Sequence, residues 1–271
     1  MDLEKGVTVL NKCSYNNVDF EVIAYNKLKG AQDVNMAQAM FFAEQTGLKA
    51  KQVKITLNNS SVKTEAGALY YSKGKIESKT KIGGATGLFK KAVSGALTSE
   101  SAIKPVYTGT GEIYLEPSFK HYLIMELDND SIIVDKGLFF CCSAEIDLKA
   151  VSQKNVSSAL LGGEGIFQIE LKGSGIVVLE LIVPESEIVP YELKNGEELK
   201  VDGNFAIART SGVSFSVTKS DKSLLSSAIN GEGLLNTFKG EGTVWLAPTA
   251  PMYNRLYSGI YFSNSSMNNK E

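Results

Sequence analysis

Gly109-Thr-Gly-Glu-Ile-Tyr-Leu-Glu-Pro117 returns as Gly173-Ser-Gly-Ile-Val-Val-Leu-Glu-Leu181 and again as Gly240-Glu-Gly-Thr-Val-Trp-Leu-Ala-Pro248. The second glycines of the three copies lie 64 and then 67 residues apart. Two further markers keep the same order. Val134-Asp-Lys-Gly137 recurs as Val201-Asp-Gly203, and Gly163-Glu-Gly165 recurs as Gly231-Glu-Gly233 at an offset of 68. Recurrence at a fixed period of this size marks a repeated supersecondary unit.

Around the markers the sequence is β-type. Ile132-Ile-Val-Asp-Lys-Gly-Leu-Phe-Phe-Cys-Cys142 is rich in residues that fit a pleated, half-buried surface. Each unit is expected to open with a strand and to turn at the Gly-x-Gly pair into a closing strand. Short helices are expected over Ser152–Leu161 and Ser220–Ile229, where serine can cap the start and glycine follows the end. A unit of about 66 residues alone buries only ~60% of its unfolded surface. Three units sharing one core supply the missing burial. The expected fold is therefore all-β: three pseudo-symmetric repeats, over about 65–134, 135–201 and 202–250, forming a β-prism or double-stranded β-helix-like body within a single domain at 51–255.

The flanks read differently. Asn35-Met-Ala-Gln-Ala-Met-Phe-Phe-Ala-Glu-Gln-Thr46 is rich in helix formers, and Gly47 follows as a stop. This predicts a short N-terminal helix within an extension at 1–50. Lys51-Gln-Val-Lys-Ile-Thr-Leu57 alternates polar and apolar residues from Gln52 onward and predicts a strand with one wet face. The tail, 256–271, has little to bury.

Composition excludes several functions. The chain has 271 residues, 28 basic against 30 acidic, and an isoelectric point near 5.7, which argues against a whole-protein polyanion binder and leaves room for a local basic patch. The longest apolar run is broken by Glu180 and is far short of the ~20 residues of a membrane-spanning helix. With no basic-then-apolar leader at Met1, the expectation is a cytoplasmic protein. Cys13, Cys141 and Cys142 are odd in number and read as small hydrophobes in a reducing compartment. A single histidine, His121, cannot make the two-histidine-one-carboxylate set of a metal oxygenase. No Gly-x-Ser-x-Gly elbow accompanies it. The Gly-x-Gly pairs lead into strands and not helices, which sets them apart from a dinucleotide fingerprint. Asp128 with Asp130, and Glu145 with Asp147, have the spacing of solvated strand faces or turns. No cofactor or metal site is expected.

One charged segment stands out. From Lys73 to Lys104 there are seven lysines and two glutamates. Lys79, Lys81, Lys90 and Lys91 flank or follow the glycine loop Gly83-Gly-Ala-Thr-Gly87, and they are the candidate contacts for an anionic partner.

Glu65-Ala-Gly-Ala-Leu-Tyr70, then Gly83-Gly-Ala-Thr-Gly-Leu-Phe-Lys-Lys-Ala92, then the Gly-x-Gly strands resemble the "altered inheritance of mitochondria" family over about Lys51 to Pro248. Glu187-Ile-Val-Pro-Tyr-Glu-Leu193 looks like that family's strand-linking segment. The resemblance implies a β fold like that of the tryptophan RNA-binding attenuation protein, with pseudo-threefold repeats. It implies no established activity and no catalytic residues. The expected function is a non-enzymatic scaffold or binding module that contacts a protein or a membrane surface, with homo-oligomerisation open to it. RNA binding follows by fold analogy, with Tyr70 and Tyr71 near Lys73 as stacking residues, but the overall acidity disfavours it. An enzyme using a carboxylate pair is the third reading.

Overall fold

The computed structural model describes residues 6–78, 104–135, 137–152, 167–219 and 234–258. The four candidate lysines Lys79, Lys81, Lys90 and Lys91 lie outside these residues. So do most of the two short helices expected over 152–161 and 220–229, and the end of the tail. Among the described residues the chain is predominantly β, with two α-helices, and every recorded strand pairing is antiparallel.

The chain divides into two compact units: 1–129 with 139–147 and 173–181, and 130–138 with 148–172 and 182–271. In the first unit, β1 (Val7–Tyr15) and β2 (Val18–Tyr25) form a hairpin. Its turn is set by Asn16 at φ 50°, a conformation asparagine tolerates better than most residues. This hairpin is an addition to the expected helical extension. β2 pairs with β3 (Lys51–Thr64), β3 with β5 (Val106–Leu115), and β5 with β4 (Leu69–Ser78). β3 also pairs with β7 (Phe139–Ser143). The inward residues of β2, Val18, Phe20 and Val22, join Val53, Ile55, Leu57, Ile113, Leu115, Phe140 and Cys141 in one buried cluster. Cys141 and Cys142 are both fully buried, and burial pushes the Cys142 thiol up to about 12. They are inert packing groups.

The strand expected at 51–57 is present, and its polar face is wet only in part: Lys54 and Thr56 are half-buried, and Gln52 is lost to the interior. Gln52 is fully buried, donating from Nε2 to the Leu115 carbonyl at 2.6 Å and accepting from the Tyr25 hydroxyl at 2.7 Å. Lys51 is also buried. Alternation identified the strand but not the partners that cover its second face.

In the second unit, β12 (Ala206–Thr210) lies between β15 (Gly242–Leu246) and residues 132–134 of β6 (His121–Asp135). β15 also pairs with β10 (Val189–Leu193). A separate three-stranded sheet has β14 (Leu234–Gly240) between β11 (Glu198–Val201) and β13 (Val213–Lys219). Leu193, Val201, Val213, Phe215, Phe238, Val244 and Leu246 form this unit's core. A helix not expected from the sequence, α2 (Ala250–Ser258), ends the described chain. Its first-turn Pro251 is compatible with a helix start.

The glycine pairs correct a second expectation. Gly109 and Gly111 lie inside β5, and Gly173 and Gly175 lie inside β9 (Phe167–Leu181). Gly240 and Gly242 flank Glu241 between β14 and β15. All six have φ between 130° and 152°, so they are kinks along β paths and not chain reversals. The reason is close approach: a Cβ on Gly111 would overlap the Lys73 carbonyl oxygen, and one on Gly242 would overlap Thr210 Oγ1. A Cβ on Gly175 would lie 2.7 Å from Ser143 Cβ. Only glycine combines this backbone with this space.

Candidate functional site

The surface least explained by folding is centred on α1 (Val34–Gln45), in the first unit. Local chemistry accounts for the helix. Asp33 caps its start by accepting from the Met36 amide at 2.8 Å. Ala37, Ala39, Met40 and Ala43 favour helix, and Gly47 at φ 70° follows its end. Burial does not account for it, because no residue of α1 is buried. A 12-residue helix is marginal alone in water, and this one has neither lysine nor arginine along its length.

The helix is held mainly through its flanks. Lys27 pairs with Glu44 at 2.8 Å, and the Tyr25 amide donates to the Ala50 carbonyl at 2.9 Å. Beside α1 lies an open cavity of about 310 Å³ lined by Leu28, Ala37, Met40, Phe41, Leu48 and Phe119. Lys51 positions Phe119: its Nζ donates to the Lys120 carbonyl at 3.0 Å, and its amide donates to the Ser118 carbonyl at 2.7 Å. Burial lowers the Lys51 ammonium below its ordinary value. Leu28, Val34, Met36, Phe41, Phe42, Leu48 and Phe119 each keep between 43% and 82% of their surface exposed. Of these, Leu28, Phe41, Leu48 and Phe119 share the cavity's lining, and apolar groups gathered round one opening mark a contact or ligand surface. Lys27, Lys29 and Lys49, with Glu44 alone against them, complete the lining and make it net basic. It can receive apolar groups.

A second surface is the face of the β1–β2–β3–β5–β4 sheet. Tyr71 stacks on Tyr114 at 4.4 Å and 14°, and burial pushes the Tyr71 phenol up to about 12. A hollow of about 260 Å³ runs from Tyr71 and Tyr114 past Lys54 to Val7, Val9 and Ile23. Lys54 bridges Glu21 at 3.5 Å and Glu112 at 3.0 Å. Tyr71 therefore has one ring face occupied, and carboxylates match the lysine at the centre. This weakens the stacking geometry that RNA binding would need.

The remaining sequence candidates are dispersed. Asp128, Asp130, Glu145 and Asp147 are exposed. Among the described residues no group of three or more His, Cys, Asp or Glu side chains is arranged to hold a metal, and no helix is long and apolar enough to cross a membrane. Sequence reasoning found α1 as a helix but not as a site. The available signal was Met40-Phe-Phe42 in a helix with few charges.

Comparison with known proteins gives a consistent family. The model of the family described as "Mitochondrial biogenesis AIM24" matches residues 43–249. An uncharacterised protein of Streptococcus pyogenes serotype M6 is 22% identical over 236 residues, covering 84% of this chain and 91% of that one. A crystal structure of a Streptococcus pyogenes protein is similar with a TM-score of 0.55 and 21% identity, over 73% of this chain and 88% of that one. That likeness concerns the fold alone.

Proposed function

Because the chain belongs to the AIM24 family, we propose that it is a non-enzymatic scaffold or binding module whose contact surface is the α1 patch, presented to a protein or membrane-surface partner. The observation that carries this reading is an apolar helix with no buried residue beside an open apolar cavity. The sheet of the first unit serves as the mount. The shared conformation of the three glycine pairs supports a body of three related segments, 65–134, 135–201 and 202–250, in a prism-like arrangement. Three free thiols, two of them buried, fit a reducing cytoplasm.

A photo-crosslinking residue in place of Phe42, in cells expressing the chain, is expected to give discrete adducts with protein or lipid. The same residue in place of exposed Asp128 should give none. Absence of any adduct at position 42 refutes the reading. Phe41→Ser with Phe42→Ser should change unfolding stability by less than about 0.5 kcal/mol, because exposed side chains away from the core contribute little. A loss of several kcal/mol on urea unfolding would show that the rings serve folding and not contact.

A further inference from the structure

We infer that the cavity beside α1 is a binding site for a free single-chain amphiphilic anion, an acyl carboxylate whose tail fills the cavity and whose head meets Lys29 and Lys49. The inference goes beyond the contact-surface reading above. Phe42, the residue that reads out that contact, does not line the cavity.

The first observation is the chemistry of the walls. Leu28, Met40, Phe41, Leu48 and Phe119 supply apolar surface, and the small side chains of Ala37, Ala43 and Ala50 leave room between them. A concave, mostly apolar site with a few polar groups is the usual make-up of a small-molecule pocket. The volume of about 310 Å³ lies at the lower end of the roughly 300–1,000 Å³ that such pockets span. It suits one short acyl chain and not a two-chain lipid.

The second observation is charge. Lys27, Lys29 and Lys49 line the cavity against Glu44 alone, and Lys27 is already paired with Glu44 at 2.8 Å. Among the described residues, Lys29 and Lys49 pair with no carboxylate. Two other polar side chains of the lining are also engaged. The Tyr25 hydroxyl donates to Gln52 Oε1 at 2.7 Å, and Asn26 Oδ1 accepts from the Thr8 hydroxyl at 2.6 Å. Two ammonium groups therefore remain for a ligand, and they complement a carboxylate. Both lysines are exposed, so the head stays hydrated and its desolvation costs little, while the tail leaves water.

The third observation separates a free molecule from a bilayer. A helix lying on a membrane carries lysine or arginine along its polar face, and α1 has neither. The three lysines belong to the segments before and after the helix and are brought together by the cavity they line. A bilayer covers what protrudes, whereas a single chain can enter a recess.

The test is isothermal titration calorimetry of the full chain with decanoate. One decanoate per chain is expected, with a dissociation constant of about 1 mM or tighter. Octanoate, two methylenes shorter, should bind about 10-fold more weakly. Lys29→Glu with Lys49→Glu, and separately Ala37→Trp, which fills the cavity, should each weaken decanoate binding at least about 10-fold. Tyr257→Glu, on α2, should leave it unchanged, and decyltrimethylammonium should not bind. Circular dichroism establishes that each variant is folded. A wild type that takes up no decanoate at several millimolar overturns the inference. So does decanoate binding that survives either cavity variant intact, or equal binding of decyltrimethylammonium. Flotation with phosphatidylserine–phosphatidylcholine vesicles, without decanoate binding and lost in Lys29→Glu with Lys49→Glu, also overturns it, while the contact-surface reading stands. Decanoate binding in a chain that gives no crosslink at position 42 supports the ligand site and removes only the contact reading.

Discussion

Gly111→Val is expected to cost about 3–5 kcal/mol of unfolding free energy, a large part of the 5–15 kcal/mol that holds a typical domain together. Two effects add. Gly111 has φ 152°, in a region that only glycine occupies readily. Any Cβ there would also overlap the Lys73 carbonyl oxygen of paired strand β4, which is backbone and cannot rotate aside. Gly242→Val should cost less than Gly111→Val, since the atom its Cβ would overlap, Thr210 Oγ1, belongs to a side chain that can turn. Gly196→Ala is the control: its φ is 91°, but its Cβ would meet nothing within 4 Å, so only the backbone conformation is penalised, by about 1–2 kcal/mol. Urea unfolding followed by circular dichroism separates these. Equal losses at Gly111 and Gly196 would mean that close approach is not what fixes glycine in the strand.

Arg209→Ala is the second large effect, about 3–5 kcal/mol, the usual consequence of removing one partner from a buried charged network. Arg209 is 4% exposed. Its Nε donates to the Val213 carbonyl at 3.0 Å, its Nη1 donates to Gln168 Oε1 at 3.0 Å, and its guanidinium lies 5.7 Å from the centre of the Phe215 ring. Gln168 in turn donates to Asp135 Oδ1 at 2.9 Å. Burial lowers the Arg209 guanidinium to about 10 and raises the Asp135 carboxyl above its ordinary 3.8. A raised carboxyl means that the folded state holds its proton more tightly than the unfolded chain. The associated stability is complete below about 3.8 and is lost as pH rises through the higher folded value. Arg209 opposes this shift, so Arg209→Ala should steepen the loss between acid and neutral pH, and adding Asp135→Asn should flatten it. A cost below about 1 kcal/mol with an unchanged pH profile would refute the network's role.

The sequence exposes those features whose cause is local. Helix formers ending at Gly47 announce α1, and Val, Ile and Phe around the glycine pairs announce strands. The glycines themselves are visible, but their role is not. A turn glycine and a close-approach glycine look alike until the neighbouring strand is placed, and Lys73 lies 38 residues before Gly111. The one dry residue on the polar face of β3 was hidden for the same reason: Gln52 is covered by Tyr25 and Leu115, both distant in sequence. The β1–β2 hairpin did carry a signal, Asn16-Asn17 followed by alternating Val18, Phe20 and Val22, which the helix formers downstream overshadowed. The site needed tertiary structure most of all. Nothing in Met40-Phe-Phe42 says whether the body of the protein covers it.

The most direct measurement is hydrogen–deuterium exchange of the α1 amides, residues 34–45, against those of β2 and β3. With no buried residue, these few turns should open readily, so the account predicts rapid exchange over 34–45 in the purified chain while the β2 and β3 amides stay protected. Exchange over 34–45 as slow as in β2 and β3 would show that the fold itself covers the helix and would contradict it.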